Sequence, residues 1–91
     1  MHQTLKYQLP DQPVQPFTLQ LTGRLRQVLT VQLQGNTPVL YTVEMRIPKY
    51  EQSDRLKLYS VMTGQTMHNP AATYLGTVQL PGPFVLHYFM Q

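Results

Sequence analysis

The stretch that decides the fold is Leu25-Arg26-Gln27-Val28-Leu29-Thr30-Val31-Gln32-Leu33-Gln34, followed by Gly35-Asn36-Thr37-Pro38 and then Val39-Leu40-Tyr41-Thr42-Val43-Glu44-Met45-Arg46-Ile47. Two segments rich in β-branched and aromatic residues flank a cluster of turn formers, which is a hairpin signal. In the first arm Leu29, Val31 and Leu33 fall on one side and Thr30, Gln32 and Gln34 on the other. Val28 interrupts that alternation, as a bulge or a second buried patch would. In the second arm Val39, Tyr41, Val43, Met45 and Ile47 alternate with Leu40, Thr42, Glu44 and Arg46.

The same period of two runs outward from the hairpin. Leu5 to Leu9 alternates until Pro10, and Asp11 to Pro16 reads as an extended connector. Phe17 to Leu21 alternates again, and Gly23 permits a turn or bulge. After a polar loop from Pro48 to Asp54, Arg55 to Met62 resumes the pattern with Leu56 and Leu58 inward. Thr63 to Ala72 is the longest loop, with a short turn at Asn69-Pro70-Ala71-Ala72. Tyr74–Leu80 and Phe84–Met90 are two further strands across a Pro81-Gly82-Pro83 turn. No window holds a helical period free of Pro, Gly or β-branched clusters. The expectation is one all-β domain over residues 1–91, an antiparallel sandwich or partly closed barrel of about seven short strands.

The 91 residues can bury one modest core, roughly 60–70% of the unfolded surface. There is no cysteine, which excludes disulfides, thiolate nucleophiles and thiolate zinc sites and fits a reducing cytoplasm. The first residues lack the apolar region of a secretory signal, and no apolar run approaches the roughly 20 residues of a membrane span. The formal charge is +3, yet only 12% of residues are charged, about half the usual share. No Lys/Arg block marks a nucleic-acid arm.

Catalytic chemistry finds little to work with. Asp11, Glu51 and Asp54 fall in loops and Glu44 on a strand; all four read as solvated charges. His2, His68 and His87 match no metal spacing, so neither a metal nor a cofactor is expected. His68, beside Asn69 in the long loop, is the best placed of the three to touch a ligand, whereas His87 reads as a half-buried, hydrogen-bonded strand residue. Neither Ser53 nor Ser60 sits in a nucleophile elbow. The chain therefore reads as a binding protein and not an enzyme.

Phe84-Val85-Leu86-His87-Tyr88-Phe89-Met90 is apolar on both sides. Such a strand is central in a sheet, covered by another layer, or paired with another subunit. The third option is favoured here, with Phe84, Leu86, Tyr88 and Met90 at a homo-oligomer interface.

Tyr7 with Leu9, Leu29 to Gln32, Gly35 to Tyr41, Leu58-Tyr59, Thr63-Gly64, Thr73 to Leu80 and Val85 to Phe89 form a set spread over nearly the whole chain. In these segments the chain resembles a family of small tailed-bacteriophage proteins of unknown function. Thr73-Tyr74-Leu75-Gly76-Thr77 and the final His-containing strand are the most specific. The chain departs from that family at Gln65, where a His is frequent, and in a longer segment around Ser60-Val61-Met62.

The resemblance implies a compact β fold and a phage origin, and it brings no activity. It leads to the expectation of a counter-defence protein in the host cytoplasm. Such a protein would block a host protein or sequester a small anionic, nucleotide-like signal. A minor virion or assembly component is the alternative. A sequestered nucleotide would meet Arg24, Arg26 and Arg46 at its phosphate, Tyr41 or Tyr74 on its base, and hydrogen bonds from His68, Thr73 and Thr77.

Overall fold

In the computed structural model, which describes residues 1–67 and 69–91, the decisive hairpin joins two strands across Gly35-Asn36. Gly35 has φ +63° while Asn36 stays at negative φ, the pattern of a type II′ turn whose twist matches the strands it joins. The seven strands are β1 (His2–Gln8), β2 (Val14–Gln20), β3 (Arg24–Gln34), β4 (Thr37–Met45), β5 (Arg55–Met62), β6 (Thr73–Gln79) and β7 (Val85–Met90). Among the described residues no helix forms. At Asn69 there is a single turn: its side-chain oxygen accepts from Ala71 N and its carbonyl from Ala72 N, both at 3.1 Å.

Two antiparallel sheets result, a three-stranded one in the order β1-β4-β3 and a four-stranded one in the order β2-β5-β7-β6. They pack face to face and do not close into a barrel. Each places its apolar positions on the facing side, where Leu40, Leu58, Leu86 and Tyr88 lose all or nearly all contact with water. Leu9, Leu21, Val31, Leu56 and Val78 complete this core. Truncating any of these leucines to Ala would cost roughly 2–5 kcal/mol, the transfer energy plus the cavity left behind.

Two bulges shape β3. Its register against β4 shifts between Leu25 and Gln27 and again between Val28 and Thr30. Each bulge inserts one extra residue, Arg26 and then Leu29, and resets the alternation. Leu25, Val28 and Leu33 pack on the core with Val31, while Leu29 is 47% exposed. The expected grouping of Leu29 with Val31 and Leu33 is thus overturned at Leu29, and the interruption at Val28 is a bulge.

The strand β6 crosses β3 where Gly76 sits. A Cβ there would stand 2.9 Å from Val31 Cβ, so the absence of a side chain lets the two layers approach closely.

The terminal strand corrects the expected oligomer surface. β7 lies between β5 and β6, so its backbone is paired on both edges. Leu86 and Tyr88 point into the inter-sheet core, half-buried Met90 packs against it, and Phe84 precedes the strand with about half its surface exposed. The covering layer is the chain's own three-stranded sheet, and Leu86 and Tyr88 are not available to a second subunit. The Tyr88 hydroxyl donates to the Pro10 carbonyl, and Ser60 Oγ donates to the Gln12 carbonyl at 3.1 Å and accepts from Val14 N at 3.2 Å. These bonds fasten the proline-rich connector across the core's end.

The outer side of β5 and β7 holds a second small cluster of Tyr59, Val61 and Phe89, covered in part by Ala72. Tyr59 and Phe89 stack at 5.3 Å, and Tyr74 meets Phe89 edge-on at 5.8 Å. The Tyr59 hydroxyl donates to the Asn69 carbonyl at 3.0 Å, holding the long loop over the sheet.

Candidate functional site

The outer side of the three-stranded sheet follows from its registers. β1 pairs with β4 in unbroken register from His2↔Met45 to Gln8↔Val39, so His2, Thr4, Lys6 and Gln8 share a face with Val39, Tyr41, Val43 and Met45. On the other flank Arg24, Gln27, Thr30 and Gln32 stand opposite Met45, Val43, Tyr41 and Val39. The result is an apolar row along β4 bordered by basic and amide side chains. Among the described residues no carboxylate lies in these rows.

Long side chains partly fold over the row. Lys6 Nζ donates to Gln34 Oε1 at 3.1 Å, bridging β4 beside Val39, which is 4% exposed. Arg26 Nη2 lies 3.2 Å from Met45 Sδ. Tyr41, Val43 and Met45 stay half-buried. The depressions here are shallow: about 350 Å³ at Lys6, Gln8, Gln34, Thr37 and Val39, and about 260 Å³ at Thr4, Leu5, Lys6 and Tyr41.

The inner side of β4 explains where the acidic groups go. Thr42 and Glu44 share the row of Leu40 and are as buried as it is, with Glu44 1% exposed. Glu44 Oε1 accepts from Gly23 N at 2.7 Å and Thr22 N at 3.1 Å. Glu44 Oε2 accepts from the Tyr7 hydroxyl at 2.7 Å and Thr42 Oγ1 at 2.6 Å. Four donors stand in for water around a buried carboxylate that, among the described residues, has no cation beside it. The expectation of a solvated Glu44 is corrected.

The turn that Glu44 holds is stitched by two more acids. Asp54 Oδ2 accepts from Leu25 N at 2.7 Å, its own N donates to the Gly23 carbonyl at 2.9 Å, and its carbonyl accepts from Leu21 N at 3.0 Å. Arg24 pairs with Glu51 at 3.0 Å and lies 4.0 Å from Asp54. Exposed pairs of this kind contribute about 0–1 kcal/mol, but they occupy the Arg24 guanidinium.

The residues expected around a nucleotide do not gather in one place. Arg24, Arg26 and Tyr41 share the outer side of the three-stranded sheet, and Arg46 follows β4 at its end, where its backbone N donates to the Met1 carbonyl at 3.0 Å. Tyr74 and Thr77 lie on the opposite outer side of the molecule, on β6. Thr73, exposed at the start of β6, pairs with Met90. His68 lies outside the described residues.

On that opposite side Tyr74 OH bonds Thr77 Oγ1, Thr77 Oγ1 lies 2.9 Å from His87 Nδ1, and Thr63 Oγ1 lies 2.7 Å from His87 Nε2. Both ring nitrogens of His87 are engaged by hydroxyls that can donate or accept. His87 is the half-buried, hydrogen-bonded strand residue expected of it. Of the former interface set, Phe84 and Leu86 line an apolar notch of about 220 Å³ with Met62 and Leu80.

A protein-family model matches residues 1–91 of this sequence. The chain belongs to the DUF7352 family, a domain of unknown function. Neither the curated proteins nor the solved structures give a match.

Within this DUF7352 domain, sequence reasoning missed Glu44, Tyr7 and Thr63. A carboxylate in the same row as Leu40 and Thr42 was the available signal for burial. Only the pairing of β1 with β4, distant in sequence, brings Tyr7 to it.

Proposed function

We propose that this DUF7352 domain is a non-catalytic binding protein that docks the outer side of its three-stranded sheet onto an acidic surface of a partner protein. The observation that carries this reading is the apolar row Val39-Tyr41-Val43-Met45, flanked by Lys6 and Arg26, with no carboxylate in the flanking rows among the described residues. Half-buried apolar side chains ringed by Lys and Arg offer contact area with a charge preference.

Flatness favours a protein over a small molecule, because pockets that hold small ligands bury most of the ligand surface. The separation of Arg24, Arg26 and Tyr41 from Thr73, Tyr74 and Thr77 weighs against nucleotide sequestration. Engagement of Glu44, Asp54 and Glu51 by structural partners supports binding over catalysis.

The likeness to tailed-bacteriophage proteins supports a partner in the bacterial cytoplasm, with obstruction of a defence protein as the action. The test is affinity capture from bacterial lysate with the unaltered chain, a Lys6→Glu/Arg26→Glu variant, and an Arg55→Glu/Lys57→Glu control on the other sheet. The reading expects one stoichiometric partner, lost with the first variant and retained with the control. Equal capture by all three refutes it. Recovery of the chain in purified phage particles would replace it with the virion role.

A further inference from the structure

We propose that β1 is a self-pairing edge through which two copies of this chain join their three-stranded sheets into one six-stranded sheet. The direction of its free hydrogen-bonding groups follows from two bonds. Arg46 N donates to the Met1 carbonyl and Leu9 N donates to the Pro38 carbonyl. In the unbroken antiparallel register with β4, odd residues of β1 therefore direct N–H and C=O toward β4. The even residues His2, Thr4, Lys6 and Gln8 direct theirs to the open edge. Regular edges of this kind are templates for another strand.

The other edges are less suited. β3 is bulged twice and its layer is crossed by β6. β2 shifts register between Val14 and Phe17 and contains Pro16, and β6 shifts between Tyr74 and Gly76. β1 alone of these edges keeps an unbroken register along its seven residues.

Self-complementarity selects a second copy as the occupant. An antiparallel β1–β1 pairing centred on Leu5 sets Thr4 opposite Lys6 and His2 opposite Gln8, and each pair exchanges two backbone hydrogen bonds. Shifting the centre to Lys6 would set the two Lys6 ammonium groups against each other, which is unfavourable. The Leu5-centred register keeps them apart, uses the whole strand and brings the two half-buried Leu5 side chains into contact on the inner side. It also continues the outer side across the two-fold axis, which doubles the proposed docking surface; the pairing itself does not depend on that surface having a partner. A single edge buries less than a standard interface of about 1,600 Å², so the dimer is concentration-dependent.

Position 4 provides the test, because Thr4 is exposed and stands opposite Lys6 of the second copy. Sedimentation equilibrium at low salt should give Kd values in the order Thr4→Glu, unaltered, Thr4→Lys from tightest to weakest. Two cross-strand charge pairs change in each variant, so each step is roughly 2- to 30-fold.

The chain has no cysteine, so Leu5→Cys gives a second readout. Non-hydrogen-bonded antiparallel pairs hold their Cα atoms about 4.5 Å apart, within disulfide reach, and mild oxidation should yield a covalent dimer. Phe84→Cys, at the formerly expected interface, should not. A monomer at every concentration up to about 100 μM, a dimer indifferent to position 4, or cross-linking through Phe84→Cys and not Leu5→Cys would overturn the proposal.

Discussion

Replacing Glu44 by Gln removes one negative charge from a site that is 1% exposed and leaves the shape of the side chain almost unchanged. The amide oxygen keeps the position that accepts from Thr22 N and Gly23 N, and the NH2 group faces Tyr7 OH and Thr42 Oγ1. Those two hydroxyls can turn and accept. The two backbone donors cannot turn, and each exchanges a charged acceptor for a neutral one. Hydrogen bonds to charged groups contribute about 1.5–3 kcal/mol against about 0.5–1.5 for neutral ones, so the loss is about 1 kcal/mol per bond and about 2 kcal/mol in all. For a domain of this length that lowers Tm by roughly 8–16 °C.

Glu44→Ala goes further. It leaves Gly23 N and Thr42 Oγ1 without an acceptor, at about 1–3 kcal/mol each, and takes from Thr22 N one of its two acceptors, the Tyr7 hydroxyl at 2.9 Å being the other. That approaches the whole stability of a small domain. Thermal and urea denaturation at pH 7 read both variants, and amide exchange at Thr22 and Gly23 should accelerate selectively. A Glu44→Gln protein melting within about 2 °C of the parent would refute the reasoning, because the charge would then contribute nothing to holding the β2–β3 turn.

Three further outcomes are expected. Burial raises the Tyr88 phenol above its ordinary 10.0, with the charge of Asp11 adding to it; burial also raises Tyr7, reinforced by Glu44 and partly offset by Thr22. Because the fold favours the neutral phenols, their contribution is intact below pH 10 and is lost as pH rises through the folded values; urea midpoints should fall there, less steeply in Tyr7→Phe than in the parent. Gly76→Ala places a methyl 2.9 Å from Val31 Cβ and should cost about 1–3 kcal/mol, much of it recovered by adding Val31→Ala, as a double-mutant cycle in urea will measure. Tyr59→Phe removes the bond to the Asn69 carbonyl, costs about 1 kcal/mol and should speed proteolysis between Thr63 and Ala72.

Local grammar made much of the fold legible. The hairpin at Gly35-Asn36 rests on turn chemistry adjoining β-rich arms, and β5 runs over Arg55–Met62 as its alternation requires, with Leu56 and Leu58 buried. The break in alternation at Val28 signalled a bulge or a second buried patch, but not that two bulges turn Leu29 out. What a sequence does not encode locally is which strands pair at long range. The pairing of β1 with β4 decides that Tyr7 meets Glu44, and the assignment of β3 and β6 to different sheets decides that Arg26 and Tyr74 lie on opposite sides. The double-sided apolarity of β7 was correctly read as a need for cover, but a sequence cannot distinguish the chain's own sheet from a neighbour's. The charge of Glu44 argued for solvent, and only four convergent donors outweigh that preference.

The central claim, that the outer side of the three-stranded sheet is the working surface, is tested most directly by photo-cross-linking in bacterial lysate. A benzophenone amino acid is placed at Tyr41 in one protein and at Tyr74 in another. The account predicts a covalent adduct with a protein other than this chain from position 41 and none from position 74. An adduct from position 74 with none from position 41 would contradict it.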